Sequence, residues 1–243
     1  MIYPLAVAGI SAIFAAVVLR QYLQRRRPYQ LIWMLALLMS ALASAVYVLA
    51  LPPTSNAVAF RLYYALGAAL MPAWLGLGSI FLVAPRRLAE VTLAALVNVG
   101  ALGAGAVFAA PLDATALARL NGGPGTGVLQ PGLWLPLTIA LNTFGVLAVV
   151  GVAAYTGLRG GGRRLLLANA LIAAGDLVVG VAGSMARTGR PELFWTTMLA
   201  GWVVIFAGFL LTQPAAQPTG SRPGSAPSSQ PRLAAPSGRR PVA

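Results

Sequence analysis

Seven runs of apolar residues make up most of this chain, and arginines, prolines or short polar turns separate them. They fall at residues 2–19, 31–51, within 60–87, and at 88–110, 133–158, 165–186 and 193–212. The clearest is FRLYYALGAALMPAWLGLGSIFLVAPRR at 60–87, where the 24 residues between Arg61 and Arg86 carry no formal charge. A helix of about 20 residues crosses a hydrocarbon core of about 30 Å. Each run therefore predicts a membrane-spanning helix. In the third, Tyr63 and Tyr64 mark one headgroup boundary and Arg86-Arg87 the other. The fold class predicted is an all-α integral membrane protein, a bundle of seven transmembrane helices over residues 1–212.

The polar punctuation sets the orientation. Arg20, Arg25, Arg26 and Arg27 follow the first run, whereas a secretory signal carries its positive charge ahead of the apolar stretch. The first run is therefore expected to be retained as a helix with its N-terminus outside. With seven spans, the short inside loops and the tail hold thirteen arginines, against Arg61, Arg119, Arg187 and Arg190 outside. The positive-inside rule then predicts an N-out, C-in protein of the cell membrane. Pro52-Pro53 ends the second helix. The one long outside loop, 111–132, predicts a short helix over DATALARL capped by Asp113, then flexible turns in NGGPGTG. The fourth run, with VNVGALGAGAVFAA, is rich in the small residues that let membrane helices approach closely. Residues 213–243 hold seven Pro, five Ser, four Arg and no aromatic residue, the composition of a disordered basic tail. Such a tail is expected to be attracted to anionic lipid.

Composition then narrows the chemistry. The net charge of +13 could suggest nucleic acid, but all 17 basic residues are arginine and they cluster between spans and in the tail. That is membrane topology rather than a nucleic-acid groove. The chain has no His, Cys or Lys. It cannot build a His/Cys zinc site, a thiolate nucleophile, a His-based triad or a lysine Schiff base. No metal, cofactor or enzymatic activity is expected.

Four acids remain: Glu90, Asp113, Asp176 and Glu192. Glu90, three and four residues after Arg87 and Arg86 at a helix start, is explained by local pairing. Asp176 sits in mid-membrane, where an ionised carboxylate costs about 3 kcal/mol on insertion scales. Asn169 lies seven residues earlier on the same helix face, and Asn142 and Asn98 lie at similar depths on the fifth and fourth helices. These four form the candidate intramembrane polar site. The competing reading makes Asp176 a neutral contact between helices. Pro72 predicts a kink in helix three, either incidental or a gate.

Two similarities complete the reading. WLGLGSIFLV in helix three aligns without gaps with WVVIFAGFLL in helix seven, each after an aromatic cluster, which suggests a three-plus-one-plus-three plan of parallel halves. RRRPYQLIWMLALLMSALASAVYVLA followed by FRLYYALGAALMPAWLGLGSIFLVAPRR resembles the seven-helix N-terminal region of some bacterial histidine kinases. The likeness rests on Arg25 to Pro28, Trp33, and the Tyr64, Gly67, Pro72 pattern, and covers about residues 20–90. It implies a sensor-like bundle that signals through a partner protein, because no kinase domain and no phosphorylatable His is present. The first expectation is a non-enzymatic sensory or regulatory membrane module. The alternative is a small-solute or proton-coupled transporter with its polar site around Asp176.

Overall fold

The computed structural model describes residues 2–160, 162–187 and 190–213. The proposed tail falls outside the described residues from Pro214 onward. Seven long apolar helices are present: α1 (Ile2–Arg25), α2 (Pro28–Ala50), α3 (Ala57–Val83), α4 (Arg86–Ala109), α5 (Trp134–Arg159), α6 (Arg163–Arg187) and α7 (Phe194–Thr212). All are long and apolar enough to cross a membrane. Among the described residues there is no strand, only an isolated bridge between Leu112 and Leu129 in the long loop.

Local chemistry sets the helix ends. Pro28 opens α2, where a missing N–H costs nothing. Asn56 caps α3 by accepting from the Ala59 N–H at 2.9 Å, and Asp113 caps a one-turn helix at Ala114–Ala118 through Thr115 and Ala116. Glu90 accepts from Arg86 Nε at 2.7 Å on the first turn of α4.

The packing order closes on itself. Helix α1 packs on α2, α2 on α3, α3 on α5, α5 on α6, α6 on α7, and α7 back on α1. Helix α4 stands outside this ring, against α3 and α5, and has the smallest buried share of the seven. The triplets α1–α2–α3 and α5–α6–α7 thus each pack in chain order, with α4 as the link. Phe14 of α1 fits among Trp202, Phe206 and Phe209 of α7, with ring centroids 6.4, 4.9 and 4.8 Å away. The Ser11 and Ser40 hydroxyls share a buried hydrogen bond of 2.9 Å between α1 and α2.

The closest backbone approaches differ from those expected of the glycine-rich α4. A Cβ on Gly105 would meet nothing within 4 Å, one on Gly103 would make only ordinary contact with Leu141, and one on the buried Gly100 would come within 2.9 Å of the end of the Leu70 side chain but of no backbone. The tight seams are α3–α5 and α6–α7. A Cβ on Gly76 would lie 2.8 Å from the Gly145 Cα, and one on Gly145 would run into the Pro72 carbonyl. In the second seam, a Cβ on Gly175 would lie 2.8 Å from the Gly201 carbonyl oxygen, and the reciprocal distance is 2.9 Å. Glycines far apart in sequence pair across each seam, and that is why no local run of small residues reveals them.

Helix α3 is not uniform. Its middle, Tyr64–Leu70, is a π-helix, and the Met71 N–H bonds to the Leu66 carbonyl five residues back. Pro72 follows at once. Pro72 has no N–H of its own to offer the turn before it. The position where a kink is expected therefore follows directly on a whole turn of wider helix.

Candidate functional site

Residues of the π-turn, of α5, α6 and α7 beside the glycine seams, and of the long loop line a partly open cavity of about 410 Å³, with the exposed Ile139 and Leu147 among its lining. Helices α2, α3, α5, α6 and α7 all contribute to its wall, with α1 and α4 excluded. Asp176 and Trp202 line it, each one residue after a glycine of the α6–α7 seam. Asn142 and Thr138 line it from α5, and Pro72 and Tyr64 from α3. The backbones at the α6–α7 seam can come close enough to aim two large polar side chains at one space only because neither seam residue carries a Cβ.

The four candidate polar residues divide. Asp176 and Asn142 line the cavity, whereas Asn169 and Asn98 do not. Asn169 accepts from the Thr156 hydroxyl at 2.9 Å and donates to the Leu165 carbonyl at 2.9 Å, so it fastens α6 to α5. It does share a helix face with Asp176, but seven residues of rise put it about 10 Å further along the axis. Asn98 is exposed on α4 and donates to its own helix, at the Ala94 carbonyl, 2.7 Å away.

Asn142 has a defined task. Its Nδ2 donates to the Ala68 carbonyl at 2.5 Å and to the Thr138 carbonyl at 2.8 Å. The first bond gives a carbonyl of the π-turn, one turn before Pro72, a donor from a side chain of α5. Asp176 has no such partner. It is 6% exposed, and its Oδ2 is buried with no hydrogen bond among the described residues. The Trp195 and Trp202 Nε1 and the Thr138 Oγ1, all on residues that line the same cavity, are also buried and unpaired among the described residues. Buried polar atoms are nearly always bonded, so four such atoms on residues around one space are an unusual concentration.

At the loop end of the bundle the wall is aromatic. Tyr47 lies with its ring centroid 4.7 Å from Tyr63 and 4.8 Å from Trp195, and Tyr64 stands edge-on to Trp134 at 5.0 Å. The loop is tied down over this cluster. The Tyr47 hydroxyl donates to the Gly123 carbonyl, Tyr63 donates to the Pro124 carbonyl at 3.4 Å, and the Trp134 indole donates to the Gln130 carbonyl at 2.7 Å. Pro124 and Thr126 thereby become part of the cavity wall. Positive φ at Gly122, Gly125 and Gly127 lets the loop turn back on itself. Arg61 donates to the Val107 and Phe108 carbonyls, each at 2.7 Å, and so caps the end of α4.

Sequence reasoning did not find Thr138, Trp202 or the aromatic cluster as parts of a site. The depth of Trp202 was visible, but its pairing with Asp176 depends on a seam between two helices. Among the described residues, no three His, Cys, Asp or Glu side chains come together as a metal site. Compared with protein-family models, curated proteins and solved structures, the chain has no significant match.

Proposed function

We propose that the chain is a non-enzymatic sensory or regulatory membrane module that takes up a small solute between its helices and passes occupancy on to a partner protein. The observation that carries this reading is the cavity of about 410 Å³ whose lining includes Asp176, Thr138, Trp195 and Trp202, each with a buried polar atom unpaired among the described residues. Ligand pockets typically occupy about 300–1,000 Å³ and combine apolar walls with a few convergent polar groups. The π-turn and Pro72 on one side give a wall that can change register when the cavity fills. The resemblance of residues 20–90 to sensor regions of histidine kinases supports the regulatory role.

The second reading, a small-solute or proton-coupled carrier, is favoured by one observation. The two triplets pack in the same order, and the cavity draws its wall from both. Repeat architectures of this kind place substrate between their halves.

Binding is tested with the purified full chain in detergent. A solute that fills the cavity raises the melting temperature, and Gly180→Leu, which puts a side chain into the cavity, abolishes that rise. A solute screen with no saturable shift, or shifts that survive Gly180→Leu, overturns the reading. Flux of the bound solute into sealed proteoliposomes would favour the carrier over the sensor. The N-out, C-in arrangement is tested by single cysteines at Asn121 and Ser228, which impermeant reagents should reach from opposite sides of intact cells. Labelling of both from one side contradicts it.

A further inference from the structure

We infer that the solute is a small organic ammonium cation, with Asp176 as its counter-ion and aromatic faces of α3 and α7 as its cage; the inference rests on the ligand-binding reading above. Three observations lead to this class. First, Asp176 is a buried carboxylic acid whose Oδ2 has no hydrogen bond among the described residues, and a carboxylate in a membrane interior calls for a positive partner. Second, the described residues supply none. No arginine among them lines the cavity, and the chain has no Lys or His. Arg164, on the same helix as Asp176, is engaged at the helix end, donating to the Leu211 and Gln213 carbonyls at 3.0 and 2.6 Å. Arg61 is engaged in capping α4.

Third, the remaining wall suits an organic cation better than other solutes. Tyr63, Tyr64, Phe194, Trp195 and Trp202 all line the cavity, and the negative face of an aromatic ring attracts an ammonium group within about 6 Å. An anion would meet Asp176 with no cation to offset it. A bare divalent metal ion needs about six or more oxygen ligands, and Asp176 is the only carboxylate in the wall.

The test compares choline with 3,3-dimethyl-1-butanol, which has the same shape without the charge, and phenethylammonium with 3-phenyl-1-propanol. Binding to the purified full chain is followed by tryptophan fluorescence, since Trp195 and Trp202 line the cavity, and by the melting temperature. At least one ammonium probe should bind saturably and about tenfold or more tighter than its neutral counterpart. Asp176→Asn, which keeps size, should weaken that probe by about tenfold or more and leave any neutral binding unchanged. Trp202→Phe keeps the ring face and should weaken it only a few-fold. Should Asp176→Asn fail to fold, the charged and neutral pairs on the unaltered protein still decide. Neutral solutes binding as well as ammonium ones, or an Asp176→Asn protein that binds ammonium undiminished, overturns the cation assignment and leaves the ligand-binding reading standing. No saturable binding by any of the four probes overturns the cation assignment, and only the wider solute screen then decides the ligand-binding reading.

Discussion

The two glycine seams of the ring have the same construction and opposite polar outcomes. At α3–α5, Gly76 and Gly145 bring backbones together beside Pro72, and Asn142 donates to the Ala68 carbonyl of the π-turn. At α6–α7, Gly175 and Gly201 bring backbones together beside Asp176 and Trp202, and neither polar atom is recovered. A buried polar group left unpaired costs about 1–3 kcal/mol, so a fold selected for stability alone has no reason to keep two at one crossing. The difference separates structure from site. The first seam uses its polar residue to join two helices, and the second leaves buried polar atoms unpaired, among the described residues, on side chains that line the cavity.

The comparison can be broken most severely at the glycines. Gly145→Leu and Gly175→Leu each force a side chain into backbone, with overpacking costs of about 1–3 kcal/mol or more, and should sharply reduce folded protein recovered in detergent. Gly105→Leu on α4, where a side chain meets open space, should melt like the parent. Equal losses at all three positions would show that glycine count, rather than the seams, matters. Next in size is Asn142→Ala, which removes the donor to Ala68 and should cost about 1 kcal/mol, a drop in melting temperature of about 2–4 °C. Tyr47→Phe releases the loop at Gly123 and should lower stability by about 0.5–1 kcal/mol while speeding ligand dissociation. An unchanged dissociation rate would mean that the loop does not cover the route. Smallest of all, truncation after Gln213 should leave both seams untouched, with no change in melting temperature. It should lower only the affinity for anionic vesicles, by about 1 kcal/mol per arginine at most.

The seven helices were legible because a charge-free run of adequate length has few other fates. The cap at Asp113 and the pair Arg86–Glu90 were legible because both partners lie within four residues. The seams were not. The sequence drew close packing toward α4, where glycine and alanine cluster, whereas the tight contacts use single glycines with partners at least 26 residues distant. Helical periodicity brought Asn169 toward Asp176 but says nothing of which neighbour takes the side chain, and Thr156 takes it. Pro72 announced a kink, yet the π-turn before it depends on the Met71–Leu66 bond and on Asn142 from another helix. Asp176 was singled out by charge alone. What made it part of a site, the unpaired indole of Trp202 and the hydroxyl of Thr138, required the fold.

One paired measurement goes to the difference between the seams most directly: the melting temperatures of Asp176→Leu and Asn142→Leu in the ligand-free full chain. Leucine is near either side chain in size, so each substitution mainly removes a polar group. With Asn169 committed to Thr156 and Asn142 to Ala68, Asp176→Leu strands no hydrogen-bonding partner. It should melt at or above the parent temperature, because an unpaired buried polar group is replaced by an apolar one. Asn142→Leu should melt lower by about 2–4 °C, having left the Ala68 carbonyl unpaired. A fall for Asp176→Leu as large as that for Asn142→Leu would contradict the account and make Asp176 part of the scaffold.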